Sequence, residues 1–158
     1  LKKSVQPGER VVAQNRSASY NYHLLERFEA GMVLVGTEVK SLREGKASLR
    51  EAYAEVKNGE LWVMNLHIPE YQPGGPFNHA PLRPRKLLLH RQEIRKLIGK
   101  SQQKGLTLIP LRIFFKNGRA KCELALARGK KQWDRRAAER EREARREAED
   151  AIYKSRRR

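Results

Sequence analysis

At Gly129 the supply of apolar residues runs out, and that break constrains the fold more than any other feature of the chain. Up to Ala127, short apolar runs alternate with polar residues and Gly-containing turns. Beyond Gly129 the sequence is mostly Arg, Glu and Ala, with Trp133 and Ile152 as isolated large apolar residues. A core has to be built before Gly129, and the remaining residues form an appendage. A length of 158 residues fits one domain plus such an extension. Residues 1–127 hold 22 basic and 11 acidic residues, and residues 128–158 hold 13 and 7. Both parts are net basic, so a polyanion is a natural partner for either, through counterion release.

The expected layout is a flexible arm over 1–10, a β-rich domain over 11–128 and a basic tail over 129–158. Val11-Val12-Ala13 reads as an edge strand. Tyr20, Tyr22 and Leu24 alternate, followed by Phe28, Glu29-Ala30-Gly31 and Met32–Val35, which predicts a hairpin turning at Glu29–Gly31. Gly36–Gly45 predicts a short helix capped by Thr37 and stopped by Gly45, with Lys40, Arg43 and Lys46 outward. A second hairpin turns at Asn58-Gly59, where both residues tolerate positive φ. Pro69–Pro84 holds five prolines and reads as a long loop. Arg85–His90 is a strand or a helix entrance. Ile94, Leu97 and Ile98 have helical spacing. Leu106–Phe115 is a strand with Pro110 at an edge or bulge, turning at Asn117-Gly118 into a last strand over Ala120–Ala127. Three hairpins, two helices and no βαβ alternation predict a mainly β protein. The architecture is a small antiparallel oligonucleotide-binding-type barrel with flanking helices. In the tail, Trp133, Ala137, Ala144, Ala148 and Ile152 share one face, mostly alanine. That face buries too little to hold a helix alone, so a tail disordered when free and helical on a partner is expected.

Catalytic and metal-binding patterns are missing from the sequence. His23, His67, His79 and His90 are scattered, no cysteine pair exists, and residues 1–127 contain no Asp. Gly99-Lys100-Ser101 resembles the end of a phosphate-binding loop, but Ile94 occupies the first glycine position. A binding protein without metal or cofactor is expected, rather than an enzyme. Cys122 alternates with its neighbours as a buried residue would, and a lone cysteine fits a reducing cytoplasm. With no apolar signal region or spanning run, no membrane partner is expected. Basic residues interleave with aromatics at Arg16/Tyr20/Tyr22, at Arg112/Phe114/Phe115/Lys116 and at Lys130-Lys131/Trp133. That pattern suits RNA bound by charge and stacking. Phe114, Trp62 and Tyr53 read more readily as core than as stacking residues, Trp133 as functional.

Three blocks carry a resemblance. They are Phe28-Glu29-Ala30-Gly31 through Gly36-Thr37-Glu38-Val39-Lys40-Ser41-Leu42-Arg43; Arg83-Pro84-Arg85-Lys86-Leu87-Leu88-Leu89; and Ala127-Arg128-Gly129-Lys130-Lys131-Gln132 with Asp134-Arg135-Arg136. In this order they resemble the small protein B family, the SsrA-binding partners of transfer-messenger RNA. The resemblance implies a non-enzymatic RNA adaptor of trans-translation that binds the tRNA-like domain of that RNA. The RNA is charged by alanyl-tRNA synthetase and delivered by elongation factor Tu to a stalled ribosome. The barrel replaces the missing anticodon arm, and the tail enters the small-subunit decoding centre and message channel.

The resemblance also implies site residues. The family's acidic turn falls on Glu29, its apolar contact on Leu88 and its basic hairpin contact on Lys121. Beyond what the resemblance implies, the neighbouring basic residues Arg16, Lys40, Arg43, Arg85 and Lys86 are expected to join them in holding the RNA. The ribosome-acting motif falls on Gly129, Lys130, Lys131, Trp133, Asp134, Arg135 and Arg136. Trp133 stands where relatives often carry His or Tyr, and Arg135 replaces the usual Lys, which keeps charge but changes hydrogen-bond geometry. Without the resemblance, the next reading is a structural ribosomal protein with a basic extension.

Overall fold

The computed structural model describes residues 8–103, 105–130 and 132–156, with the backbone alone at 132–135. Most of the expected arm, residues 1–7, lies outside the described residues, and Glu9 and Arg10 already belong to the first strand. The elements are β1 (Glu9–Gln14), α1 (Ala18–Asn21), β2 (Tyr22–Met32), α2 (Gly36–Arg43), β3 (Tyr53–Lys57), β4 (Glu60–Met64), β5 (Arg85–Leu88), α3 (Arg91–Ser101), β6 (Leu106–Lys116), β7 (Arg119–Gly129) and α4 (Gln132–Arg156).

All strand pairs are antiparallel, in the order β1-β6-β3-β4-β5-β2-β7. A further β6–β7 pairing closes β6 to β7 into a six-stranded ring, with β1 laid beside β6. The expected barrel is therefore observed. Pro110 sits where the β6–β7 register slips by a residue, as a residue without an N–H should. At that slip β6 changes neighbours on its other edge, from β1 at Arg112–Lys116 to β3 at Leu108. The Asn58-Gly59 and Asn117-Gly118 turns have both φ values positive, the geometry that suits hairpin twist.

Two sequence expectations about the elements are corrected. Glu29-Ala30-Gly31 is not a turn: β2 runs straight through it for 11 residues and pairs with β7 over nearly its whole length. Thr37 does not cap α2; its hydroxyl meets His79 Nδ1 at 2.8 Å, while Glu38 Oε1 accepts the Val35 N–H at 2.9 Å. Gly45 does stop the helix, at φ 71°. Arg85 to Leu88 is a strand, and Pro69–Pro84 is a loop containing a 3-10 segment, Gln72–Phe77, clasped by Asn78 bonds to both backbone groups of Tyr71.

Inside the ring, Phe28, Ala30, Leu61, Val63, Leu87, Leu108, Ile113, Cys122, Leu124 and Leu126 form the core, extended by Leu42 of α2 and Leu97 of α3. Burial pushes the Cys122 thiol up to about 12. Outside the ring, α1 rests on small residues: Ala18 packs on Ile109, Ala125 and Ala127. The tail is helical from Gln132 to Arg156, and none of its described side chains is buried.

Candidate nucleic-acid interface

Side chains alternate along β2, so Arg27, Glu29 and Gly31 face outward while Phe28 and Ala30 face the core. Gly31 pairs with Leu88 of β5 on one side and Lys121 of β7 on the other. A Cβ built at Gly31 would lie 3.5 Å from Leu88 Cβ and 3.9 Å from Lys121 Nζ. Glu29 lies two residues along the same face, its Oε1 3.8 Å from Lys116 Nζ. Gly31 is thus flanked by an ammonium and a leucine that is 51% exposed, with the Glu29 carboxylate two residues along the same face. Lys121 makes no ion pair with any described residue, which leaves its charge available.

Next to this patch the outer face is internally neutralised. Glu123, opposite Glu29, bonds Arg27 at 3.1 Å and Arg112 at 2.7 Å, and Arg112 also reaches Glu9 at 3.3 Å. Burial acts to lower the Arg112 pKa, but Glu123 and Glu9 outweigh it and hold the pKa above its ordinary value. The guanidinium lies 4.2 Å above the Phe114 ring, which it helps to cover; Phe114 is 1% exposed. Phe114 is therefore buried, as expected. Trp62 and Tyr53 are not: Tyr53 is exposed, Trp62 half-buried, and both lie on the outer side of β3 and β4.

The remaining basic residues divide. Lys86 is on β5 two residues from Leu88 and pairs with Glu60 at 3.2 Å. Lys40 and Arg43 are on α2, over the rings of Tyr71 and Phe115 at 5.7 and 5.3 Å. Arg16 is exposed, but in the turn leading to α1, at the opposite end of β2 from Gly31. Arg85 contradicts the expectation of an RNA contact. It is 0% exposed and donates to Glu38 Oε2, to Leu66 O and to Ala80 O. Arg83 holds the other oxygen of the same carboxylate. Burial alone would raise the Glu38 carboxyl; bonds from Arg83, the Val35 N–H and Arg85 hold it below the usual range. Arg85 thus anchors α2 to the barrel from within.

Of the tail motif, Gly129 ends β7 opposite Tyr22, and the Lys130 N–H donates to Asn21 O at 2.8 Å. Lys131 lies outside the described residues. Trp133, Asp134 and Arg135 are placed by backbone on α4, and their side chains lie outside the described set; Arg136 is exposed. The tail origin and the Gly31 patch are at the two ends of the β2–β7 ladder, up to about 30 Å apart for nine residues of strand. Sequence reasoning missed the Arg27–Glu123–Arg112–Glu9 belt and the Lys116–Glu29 contact, because only strand register brings these residues together. Among the described residues no acidic, His or Cys group could hold a metal, and no helix is long and apolar enough to cross a membrane.

The molecule is thus a closed antiparallel barrel with a mixed polar and apolar outer patch and an appended, highly charged helix. The family model described as SmpB protein matches residues 12–154. The SsrA-binding protein of Thermobifida fusca is 57% identical over 149 residues, covering 94% of this chain and 93% of that protein. The SsrA-binding protein of Syntrophomonas wolfei is 59% identical over 145 residues, covering 92% of each. A solved structure described as "tmRNA-SmpB: a journey to the center of the bacterial ribosome" superposes with a TM-score of 0.65 at 52% identity, over 75% of this chain and 84% of that one. The chain belongs to the SmpB family.

Proposed function

We propose that this protein is a non-enzymatic adaptor that binds the tRNA-like domain of transfer-messenger RNA through its barrel and acts on stalled ribosomes through its tail. The observation that carries this reading is that Leu88 and Lys121 flank Gly31 with Glu29 two residues along the same face, three residues implicated separately by the family pattern. Lys121 attracts phosphate, Leu88 offers a dry contact to a base or ribose, and Glu29 accepts from base or ribose donors. A carboxylate beside an ammonium reads RNA structure rather than charge alone. Lys86, Lys40 and Arg43 extend the basic surface; Arg85 supports it from inside.

The tail leaves from the far end of the barrel. Binding RNA at the Gly31 end therefore leaves Lys130, Lys131, Trp133, Asp134, Arg135 and Arg136 available to a second partner, the decoding centre and message channel of the small subunit. The barrel stands where an anticodon arm is missing. Elongation factor Tu and alanyl-tRNA synthetase connect to the protein through the shared RNA. Truncation after Arg128 tests the division of labour. Affinity for the tRNA-like RNA should persist, while peptide tagging on stalled ribosomes is lost; equal loss of both would sink the reading.

A further inference from the structure

Trp62 reads as core from the sequence, yet the fold turns it outward. Along β4 the inward residues Leu61 and Val63 are buried, while Glu60, Trp62 and Met64 face out. Phe114, Phe115 and Tyr71 each carry a cationic side chain over the ring, whereas among the described residues no cation covers Trp62. Glu55 of β3 stands directly opposite Trp62 on the outer face, and Lys86 of β5 stands opposite it on the other side. Glu55 is half-buried and makes no hydrogen bond or ion pair to any described residue. Trp62 and Glu55 line an open cavity of about 480 Å³, together with Met64 and, from the loop before β5, Arg83 and Pro84. Arg83 is held in place there by its bond to Glu38.

The geometry points to a subsite for an unpaired guanine of RNA at the Trp62–Glu55 cleft. A base stacks on the indole, and the two carboxylate oxygens of Glu55 accept from the guanine N1–H and N2–H donors. No other base presents two adjacent donors on that edge: adenine sets an amino group beside a ring acceptor, and uracil sets one N–H between two carbonyls. A guanine inside a duplex has that edge paired and its faces stacked, so the cleft takes a single-stranded one. RNA is the occupant because the cleft is continuous with the Gly31 patch. Lys86, beside Trp62, is two residues from Leu88 on the outward side of β5. That the guanine belongs to the RNA held at Gly31 rests on the adaptor reading above.

The test titrates the full chain, at one fixed salt concentration, with the RNA strands UUUGUUU, UUUAUUU and UUUUUUU. Affinity is read from the anisotropy of end-labelled strands. Placement of the base is read from quenching of tryptophan emission by unlabelled strands. The guanine strand should bind about tenfold more tightly than the other two, the discrimination that one bidentate contact supplies. Glu55→Gln, with a single acceptor oxygen, should bring the guanine strand down to the adenine strand. Trp62→Phe keeps an aromatic face, so it should keep the preference while losing the extra quenching that guanine causes; Trp133, the other tryptophan, supplies the background in both chains. Trp62→Ala should weaken the guanine strand about tenfold. Equal affinity of the parent for the guanine and adenine strands, no binding of the guanine strand, a preference that survives Glu55→Gln, or guanine quenching that survives Trp62→Phe would each overturn the subsite. The tRNA-like RNA and ribosomes are absent from this assay, so its failure leaves the adaptor reading to the truncation experiment.

Discussion

The barrel and the tail helix are built from opposite kinds of stability. In the barrel, β2 and β7 pair over nine registered positions across roughly a hundred residues of sequence, and their inward side chains are buried. In α4, helical hydrogen bonds are local, no described side chain is buried, and the contact to the rest of the molecule runs through α1. The first region holds its shape against any partner. The second has little of its own to lose by moving, which suits a segment that must change surroundings. The contrast gives the molecule one surface held by long-range pairing and one held by local bonds alone.

The contrast can be broken by substitution. The largest effect is expected at Arg85→Met, which leaves the Glu38 carboxylate buried beside Arg83 alone. Loss of one partner of a buried pair costs about 3–5 kcal/mol, read as a drop in thermal midpoint. Leu124→Ala removes a wholly buried core side chain and should cost about 2–5 kcal/mol in the same melt. The buried pair also sets an acid limit. The Glu38 pKa is lowered in the fold, so its contribution is complete above the ordinary value of 4.5 and is lost as pH falls through the folded value. Denaturant titrations below pH 4.5 should therefore show falling stability, with a shallower pH slope in Glu38→Gln; an equal slope would remove Glu38 from the account. The smallest effect is expected in the tail. Ala144→Gly should cost about 1 kcal/mol of helix stability, seen as lost ellipticity, with the barrel melting unchanged. A shift in barrel melting would show that the two regions are not independent.

How much of this was legible in the sequence depended on distance along the chain. Asn58-Gly59 and Asn117-Gly118 announced their hairpins because positive φ is a property of those residues alone. The α2 stop at Gly45 was readable for the same reason. Glu29-Ala30-Gly31 misled, because local turn propensity was overridden by pairing with β7 some ninety residues away. Gly31 does not adopt left-handed backbone there; it is strand, flanked by Leu88 and Lys121. Arg85 misled in a similar way. A guanidinium in a basic chain reads as surface until the fold places Glu38, Leu66 O and Ala80 O around it. Glu29, Leu88 and Lys121 have no local pattern in common, and they were reached through family resemblance; only strand register shows that they are neighbours.

The closed ring also fixes when this protein can fold during its own synthesis. β2 is made early, but its main partner β7 spans Arg119–Gly129, and β1 likewise waits for β6. Folding of the N-terminal part first, the usual economy of translation, is closed to such a topology. A nascent chain that stops before Arg119 has no β7, so β2 and β6 keep open edges and the barrel cannot close by waiting. The molecule is therefore all or none with respect to its own message: a transcript cut short within the barrel yields no partly working product, only a polypeptide to be cleared.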